Sequence, residues 1–260
     1  MSIPATASTP LALNDHQKRD VTLFVPCLVD ALYPEVGEAV VALLQGLGVT
    51  LTYPVDQTCC GQPAFSAGHR TAATAAARRF IRIFEPATVI VCPSGSCVNM
   101  VRNHFTELLA HDPPWQQRAQ RTADRTFEFS EYLVDVLGLD DLGARFDGRL
   151  TYHDSCHLLR RLGIAAQPRK LLSRIRGAAF VEMEDPDCCC GFGGSFAVQY
   201  ADISAAMTRD KVRHILATGA DAVVGCDVGC LMNIQGRLSR IQAAVKTLHI
   251  AQLLAGKKYH

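Results

Sequence analysis

The sequence Cys59-Cys60-Gly61 occurs a second time in the chain as Cys189-Cys190-Gly191. One cysteine precedes each doublet and another follows it: Cys27 and Cys97 in the first half, Cys156 and Cys230 in the second. The first cysteine precedes the doublet by 32 residues in the first half and by 33 in the second. The last cysteine follows the doublet by 37 and 40 residues. A spacing that recurs this closely indicates an internal repeat.

The segments around the cysteines alternate between strand and helix patterns. Short β-prone runs lead toward the cysteines, and the inner ones are apolar on both faces, as in a parallel sheet. These runs are residues 22–26, 87–91, 150–155 and 222–224. Apolar residues recur at helical spacing over residues 36–47, 70–84 and 203–217. The alternation predicts an α/β fold of two pseudo-symmetric, Rossmann-like units, each with a parallel sheet and a CCG cysteine-rich motif.

Composition along the chain predicts the domain boundaries. Residues 1–20 are polar and rich in Pro, Thr and Ser, which favours a flexible tail. The two cysteine-rich units are predicted at residues 21–112 and 148–260, with a last strand and helix over residues 245–254. Residues 113–147 open with two prolines and continue with a polar stretch, which indicates a connector that carries a helix.

The charge balance excludes several classes of function. The 260 residues include 26 basic and 25 acidic side chains, whereas a nucleic-acid-binding protein usually shows a strong basic excess. With 48% hydrophobic residues, the chain is too apolar for a disordered protein. No segment reaches the roughly 18 apolar residues of a membrane-spanning helix, and residues 1–20 lack the pattern of a secretion signal. We therefore expect a cytoplasmic protein without a membrane span.

The eleven cysteines are an odd number, so they cannot all pair as internal disulfides. Because loops converge at the carboxyl ends of parallel strands, each half is predicted to bring four thiols together. We call Cys27, Cys59, Cys60 and Cys97 the first thiol site, and Cys156, Cys189, Cys190 and Cys230 the second thiol site. Four thiolates bind an iron–sulfur cluster or one zinc ion. Adjacent cysteines favour the cluster, because their side chains diverge, and zinc stays an alternative at one of the two sites.

Other residues near the repeat are weaker candidates. Cys92 and Cys226 precede the last cysteine of each half and are candidate additional ligands, whereas Cys188 has no assigned role. His153 and His157 flank Cys156, where either could bind the metal or carry a proton in catalysis. A hydrogen-bonded loop histidine is an equally good interpretation. The glycines of residues 191–195 predict a tight turn, since their spacing does not match the dinucleotide fingerprint.

These blocks together resemble the lactate utilisation protein A family of CCG-domain iron–sulfur proteins, which is related to the CCG-domain component of heterodisulfide reductase and to the iron–sulfur component of glycolate oxidase. The resemblance covers about residues 21–254 and includes residues 93–97, 229–234 and 248–251 besides the doublets. It implies an electron-transfer subunit of an L-lactate oxidation system that converts lactate to pyruvate. The eight repeated cysteines would bind clusters of the [4Fe–4S] type, either cubane or noncubane. The family pattern ends each half in CxxC, and this chain departs from it, with Cys92-x4-Cys97 and Cys226-x3-Cys230.

The resemblance also implies partners. These would be a ferredoxin-like iron–sulfur subunit and a third small subunit, so that the chain would be part of an oxidoreductase and not catalytic alone. Two other functions use the same residues. Substrate could bind the cluster itself while His153 or His157 transfers a proton, or the thiols could hold zinc in an assembly protein without redox chemistry. Related subunits serve other 2-hydroxy acids such as glycolate, and neither nucleic acid nor membrane is an expected partner.

Overall fold

A computed structural model describes residues 13–256 of the chain. Residues 1–12 of the predicted tail and residues 257–260 of the predicted second unit lie outside the described residues. The described part of the predicted tail contains a short helix, α1 (Asp15–Lys18), and the start of the first strand. Asn14 caps this helix, because its side chain accepts a hydrogen bond from the Gln17 amide.

The first sheet has four parallel strands in the order β2-β1-β3-β4. Their bounds are Asp20–Leu23 (β1), Thr50–Thr52 (β2), Val89–Cys92 (β3) and Thr126–Glu128 (β4). All four residues of β3 are buried, as expected for a central strand of a parallel sheet. Val21 of β1 lies between Leu51 and Val89, so the two central strands end side by side.

The second sheet repeats this topology in the order β6-β5-β7-β8. Its strands are Arg145–Tyr152 (β5), Arg176–Phe180 (β6), Ala222–Gly225 (β7) and Lys246–His249 (β8). Leu150 lies between Phe180 and Ala222, as Val21 does in the first sheet. The shared pairing makes Val21 equivalent to Leu150, and these equivalences allow the two halves to be compared residue by residue.

Short helices connect the strands in both halves. Those before β5 are α2 (Cys27–Leu32), α3 (Pro34–Gly46), α4 (Gln62–Ser66), α5 (Arg70–Phe84), α6 (Gly95–Asn99), α7 (Phe105–Leu108), α8 (Pro113–Ala123) and α9 (Phe129–Glu131), with π-helical turns at Met100–His104 and Tyr132–Val136. Those after β5 are α10 (Cys156–Leu162), α11 (Ala166–Ser173), α12 (Phe196–Gln199), α13 (Ala201–Ala217), α14 (Val228–Arg240) and α15 (Ile250–Leu254). Within residues 13–256, no helix combines the length and apolar character needed to cross a membrane.

The predicted fold class is confirmed: each half is an α/β unit built on a parallel sheet. The helix predicted over residues 70–84 has the bounds of α5, and its apolar stripe of Ala73, Ala77, Phe80 and Phe84 is buried. The helices predicted at 36–47 and 203–217 differ from α3 and α13 by one or two residues at their ends. Residues 113–147 contain the expected helix, α8, and also β4, the edge strand of the first sheet.

The two units share a hydrophobic core. Buried residues from both sheets, among them Val89 and Val224, belong to one cluster. Helix α10, which begins at Cys156, packs against α6, which contains Cys97, and α2 packs in the same way against α14. The helix at the first cysteine of each unit therefore lies beside the helix at the last cysteine of the other. Both thiol sites consequently lie close to the contact between the units.

Candidate metal centres

The carboxyl ends of the strands position the thiols of the first thiol site. Cys27 begins α2 directly after β1, and Cys97 lies in the first turn of α6 after β3. The doublet lies in the loop between β2 and α4. This is the rim of the sheet at which ligands bind in open α/β folds, so the topology alone brings the predicted residues together.

The four thiols of the first thiol site contact one another. The Sγ atoms of Cys27 and Cys59 are 3.7 Å apart, and the Gly61 amide lies 3.4 Å from Cys59 Sγ. Cys60 hydrogen-bonds both Cys59 and Cys97. The hydrogen bond from Cys27 holds the pKa of Cys59 well below its usual range, and the hydrogen bond from Cys60 does the same for Cys97. Two of the four sulfurs thus favour the thiolate form, which is the form that binds metal.

The second thiol site repeats this arrangement. Cys156 begins α10, and Cys230 lies in the first turn of α14. The Gly191 amide lies 3.4 Å from Cys189 Sγ, as in the first half. Hydrogen bonds from Cys156 and Cys190 lower the pKa of Cys189, and Cys190 also hydrogen-bonds Cys230. The structure therefore brings together all four predicted thiols in each half.

The glycine after each doublet is required by its backbone and by its neighbours. Gly61 has φ +86° and Gly191 has φ +82°, in the left-handed region that side chains disfavour. A Cβ on Gly61 would lie 2.9 Å from Ala76 Cβ, and one on Gly191 would lie 2.6 Å from the Ser204 carbonyl oxygen. The absence of a side chain lets the doublet loop rest on α5 or α13 while its amide donates to a sulfur.

The candidate additional cysteines are not equivalent to each other. The strand pairings make Cys92 equivalent to Gly225, since both end the central strand. Cys92 is buried and hydrogen-bonds Cys97, so it lies beside the first thiol site. Cys226 lies one residue beyond β7, with its Sγ 3.4 Å from the Tyr152 hydroxyl. Cys188 is half-buried next to the second doublet.

Ser94 and Asp227 occupy the places that a CxxC motif would give to a cysteine, three residues before Cys97 and Cys230. They cap α6 and α14, and they contact each other across the two units. Asp227 accepts hydrogen bonds from Ser94 Oγ (2.7 Å), Ser96 Oγ (2.8 Å) and N (3.0 Å), and Ser155 Oγ (2.8 Å). This buried carboxylate fixes Ser96 beside Cys97 and Ser155 beside Cys156. Sequence reasoning missed it, although its position relative to Cys230 was the available signal.

The two candidate histidines differ in environment. His153 is 1% exposed, and neither ring nitrogen has a hydrogen-bond partner among the described residues. One of its nitrogens lies within 4.8 Å of the Sγ atoms of Cys190 and Cys230. Burial and the nearby Lys211 lower the pKa of His153 to about 3, so the imidazole is neutral. His157 is only half-buried, with Nδ1 3.8 Å from Cys156 Sγ.

A second residue that sequence reasoning missed is Lys211. Its side chain is fully buried, and its ammonium group donates to the carbonyl oxygens of Asp185 (2.9 Å) and Pro186 (3.0 Å). These carbonyls belong to the loop that leads into the second doublet. A lysine on the buried face of α13, beside Val212 and Ile215, was the available signal.

The donor set fits a thiophilic metal centre. All eleven cysteines lie within the described residues, and each is a free thiol. Thiolates are soft ligands that select zinc, copper(I) or iron–sulfur clusters. Each thiol site adds a backbone amide that donates to a sulfur, which is the outer hydrogen bond typical of such centres. At the second thiol site, the buried His153 ring has no hydrogen-bond partner for either nitrogen among the described residues, so it offers a further potential metal ligand.

The fold and the paired thiol sites define a protein made of two copies of one cysteine-rich α/β unit. In agreement, the family described as the CCG cysteine-rich domain matches residues 21–102 and 150–235. A hypothetical protein from Helicobacter pylori has a similar fold, with a TM-score of 0.62 at 11% identity over 93% of this chain. This chain spans about half of that protein, 50% of its length.

The sequence relatives are more specific. The chain is 44% identical over 235 residues to lactate utilization protein A 2 of Bacillus cereus, covering 90% of this chain and 97% of the relative. It is 46% identical over 237 residues to lactate utilization protein A of an Exiguobacterium species, covering 90% and 96%. The chain therefore belongs to the lactate utilization protein A family of CCG cysteine-rich proteins, as its sequence motifs predicted.

Proposed function

We propose that this chain is the iron–sulfur electron-transfer subunit of an L-lactate oxidation system that converts lactate to pyruvate. The observation that carries the proposal is a four-thiol site present twice in a chain whose relatives are lactate utilization proteins A. The proposal of lactate as the substrate rests on the names of the relatives, and the proposal of redox chemistry rests on the thiol sites. Both are needed, because neither a fold nor a thiol site alone specifies lactate.

The contacts within the first thiol site form a chain of sulfurs, and this pattern supports a cluster over a single zinc ion. Cys59 contacts both Cys27 and its neighbour Cys60, and Cys60 in turn contacts Cys97. A single tetrahedral zinc ion requires all four sulfurs at about 2.3 Å from one point. A cluster offers several iron atoms to sulfurs that are spread over a larger volume.

The residues around the thiols hold, shield and tune the proposed centres. Cys60 and Cys190 are 2% and 3% exposed, so the protein side of each thiol site excludes water. Cys27 is exposed, which opens the first thiol site toward solvent and toward a docking redox protein. The amides of Gly61 and Gly191 donate to a sulfur in each thiol site, where they would stabilise thiolate charge and raise the reduction potential of a bound cluster. When bound, an iron–sulfur cluster supplies one-electron transfer.

The proposed partners are a ferredoxin-like iron–sulfur subunit and a third small subunit, which together with this chain would form the oxidoreductase. The near-neutral net charge of +1 supports redox proteins as partners and does not support nucleic acid. In this arrangement the chain relays electrons within the complex and does not act on lactate alone. We place the complex in the cytoplasm.

Anaerobic purification tests the cofactor. We expect iron and acid-labile sulfide in the isolated chain, together with an EPR spectrum that changes on reduction by dithionite. Zinc without iron or sulfide would contradict electron transfer and would support the alternative of a zinc-binding assembly protein. That alternative draws on one observation, the histidine nitrogen near two sulfurs in the second thiol site, because zinc accepts mixed cysteine and histidine ligands.

Reduction by substrate tests the role in the complex. We expect L-lactate to reduce the iron–sulfur chromophore only when both partner subunits are present. Reduction by lactate with the chain alone would instead favour catalysis at the cluster. Glycolate serves as the matched comparison, since a faster reduction by glycolate than by lactate would transfer the proposal to another 2-hydroxy acid.

A further inference from the structure

The side chain of His153 is buried beside the second thiol site without a partner for either nitrogen among the described residues. It is 1% exposed, and one nitrogen lies within 4.8 Å of the Sγ atoms of both Cys190 and Cys230. A buried polar group without a partner is costly, and such groups in native proteins usually have a ligand, an ion or a water as partner. The imidazole therefore points to an occupant of the second thiol site.

Three polar side chains next to His153 in the sequence or in the fold are already engaged elsewhere. Asp154 accepts two hydrogen bonds from Arg169, at 3.0 and 2.6 Å. Ser155 donates to Asp227, and Lys211 donates to two loop carbonyls. These three side chains are thus committed to other partners, and the groups that a ring nitrogen does approach are the Sγ atoms of Cys190 and Cys230.

The first half shows that the fold does not itself need an imidazole at this place. The position equivalent to His153, three residues before the first cysteine of the unit, is Phe24. The Phe24 ring packs edge-on against Phe80, with centroids 4.8 Å apart, and against Phe84, at 5.5 Å. A hydrocarbon ring therefore supports the same turn and the same four thiols in the first thiol site.

We propose that His153 supplies an imidazole nitrogen ligand to the metal centre of the second thiol site, beside Cys190 and Cys230. The second thiol site is then a mixed sulfur and nitrogen site, whereas the first is ligated by sulfur alone. The proposal rests on the proposed function only in requiring a metal in the second thiol site, whether cluster iron or zinc. On a cluster, an imidazole that took the place of one thiolate would raise the reduction potential, as in centres where histidine replaces cysteine.

Nitrogen-specific spectroscopy on the unaltered protein tests the proposal without a substitution. The chain is purified anaerobically with natural-abundance or ¹⁵N-labelled histidine, and its reduced form is studied by pulsed EPR. We expect a hyperfine coupling from a directly bound nitrogen that changes from the ¹⁴N to the ¹⁵N pattern with the label. If the metal is zinc, the zinc-edge X-ray absorption spectrum should show scattering from one imidazole.

Two matched variants assign the nitrogen to one residue. His153→Phe places the first-half side chain at this position and should abolish the nitrogen coupling. His157→Phe removes the other histidine near Cys156 and should leave the coupling unchanged. Loss of the coupling in His157→Phe, or its retention in His153→Phe, would overturn the assignment.

The outcomes separate the two proposals. Iron and sulfide at both thiol sites without any nitrogen coupling would overturn the role of His153 and leave the proposed function intact. Zinc with one imidazole at the second thiol site would overturn electron transfer at that site and support His153 as a ligand. A chain that binds no metal would contradict both.

Discussion

The two halves of the molecule share their thiol framework and differ in what lies behind it. Each has the same strand order, the same glycine after the doublet and the same amide at 3.4 Å from a sulfur. Behind the first thiol site, Phe24 packs on Phe80. At the equivalent places behind the second lie His153 and Lys211. The equivalence of Phe80 and Lys211 follows from the contacts of Gly61 and Gly191 with α5 and α13.

This difference shows which features the thiol geometry requires. The turn, the doublet and the glycine recur because they create the site. The side chains behind them differ because the backbone turn and the four thiols do not depend on them, which leaves these positions open to a different role in each half. The first thiol site has the apolar ring pair of Phe24 and Phe80 behind it, whereas Lys211 places a buried ammonium group at the equivalent place near the second. We therefore expect the second thiol site to favour the more negatively charged centre.

The largest effect on stability is expected at Asp227, where the second half has a carboxylate at the position that Ser94 occupies in the first half. Asp227→Ala leaves donors on Ser94, Ser96 and Ser155 without their acceptor. Because each unsatisfied buried donor is costly, the free energy of unfolding should fall by about 3 kcal/mol. Urea denaturation measures this. The control is Asp15→Ala, at an exposed ion pair with Lys18, and equal effects of the two variants would show that Asp227 does not join the units.

Next in size is the comparison of the two doublet glycines. Gly191→Ala forces a Cβ to within 2.6 Å of a backbone oxygen, whereas Gly61→Ala meets a methyl group at 2.9 Å. Both substitutions also incur the left-handed backbone cost of roughly 1 kcal/mol. We expect Gly191→Ala to lower the free energy of unfolding by about 2–3 kcal/mol, and Gly61→Ala by about 1 kcal/mol less. A larger loss from Gly61→Ala would refute the close packing deduced for the second loop.

The pH dependence of stability tests a third pair of equivalent positions. Glu128 and His249 end the last strand of each sheet and are the buried N-cap residues of α9 and α15. Burial raises the pKa of Glu128 to about 8 and lowers that of His249 to about 4. The unfolded chain ionises Glu128 near its ordinary pKa, so folding stability should decline as pH rises toward 8. His249 has the opposite effect, because stability falls with pH below about 6.5, where the unfolded imidazole binds a proton.

Glu128→Gln isolates the alkaline part of this profile. Between pH 6.5 and 8, the unaltered chain should lose about 2 kcal/mol of unfolding free energy through Glu128. In Glu128→Gln this contribution is absent, so the unfolding free energy of the variant should fall by about 2 kcal/mol less over the same pH interval. Urea midpoints at closely spaced pH values provide the measurement. Parallel profiles for the two proteins would show that Glu128 is already ionised in the folded chain.

The smallest effect on stability is expected at Lys211 and Phe80, which occupy equivalent positions in the two halves. Lys211→Met removes two hydrogen bonds to loop carbonyls but also removes a buried charge. The two contributions oppose each other, so a net loss of about 1 kcal/mol is expected. Phe80→Met should cost a similar amount, since a flexible apolar side chain fills most of the space. A loss above roughly 3 kcal/mol in Lys211→Met alone would show that the buried charge has a compensating partner in the fold.

Much of the fold is predictable from the sequence because it is written in local patterns. The repeated cysteine spacing identifies the two units, and periodicity locates α5, α3 and α13 within two residues. β4 has only three residues, too few for a strand pattern, and lies in the polar region assigned to the connector.

The thiols of the candidate sites were predictable from the sequence, but the residues that support them were not. The thiols were found because a doublet and its flanking cysteines recur at matched distances. Asp227 was missed because its partners Ser94 and Ser96 lie more than 130 residues away in the sequence. Lys211 was missed because its loop acceptors become neighbours only when α13 packs on the second sheet. The environment of His153, which separates it from His157, is likewise a product of tertiary packing.

The most direct measurement is the metal content of two matched variants, Cys60→Ser and Cys190→Ser, purified anaerobically beside the unaltered chain. Each variant removes a buried sulfur from one thiol site only. Each should lose the iron and sulfide of that site, and Cys226→Ser, at the contact with Tyr152, should retain both. Iron and sulfide contents unchanged in Cys60→Ser and Cys190→Ser would contradict the claim that each half holds a metal centre in its own four thiols.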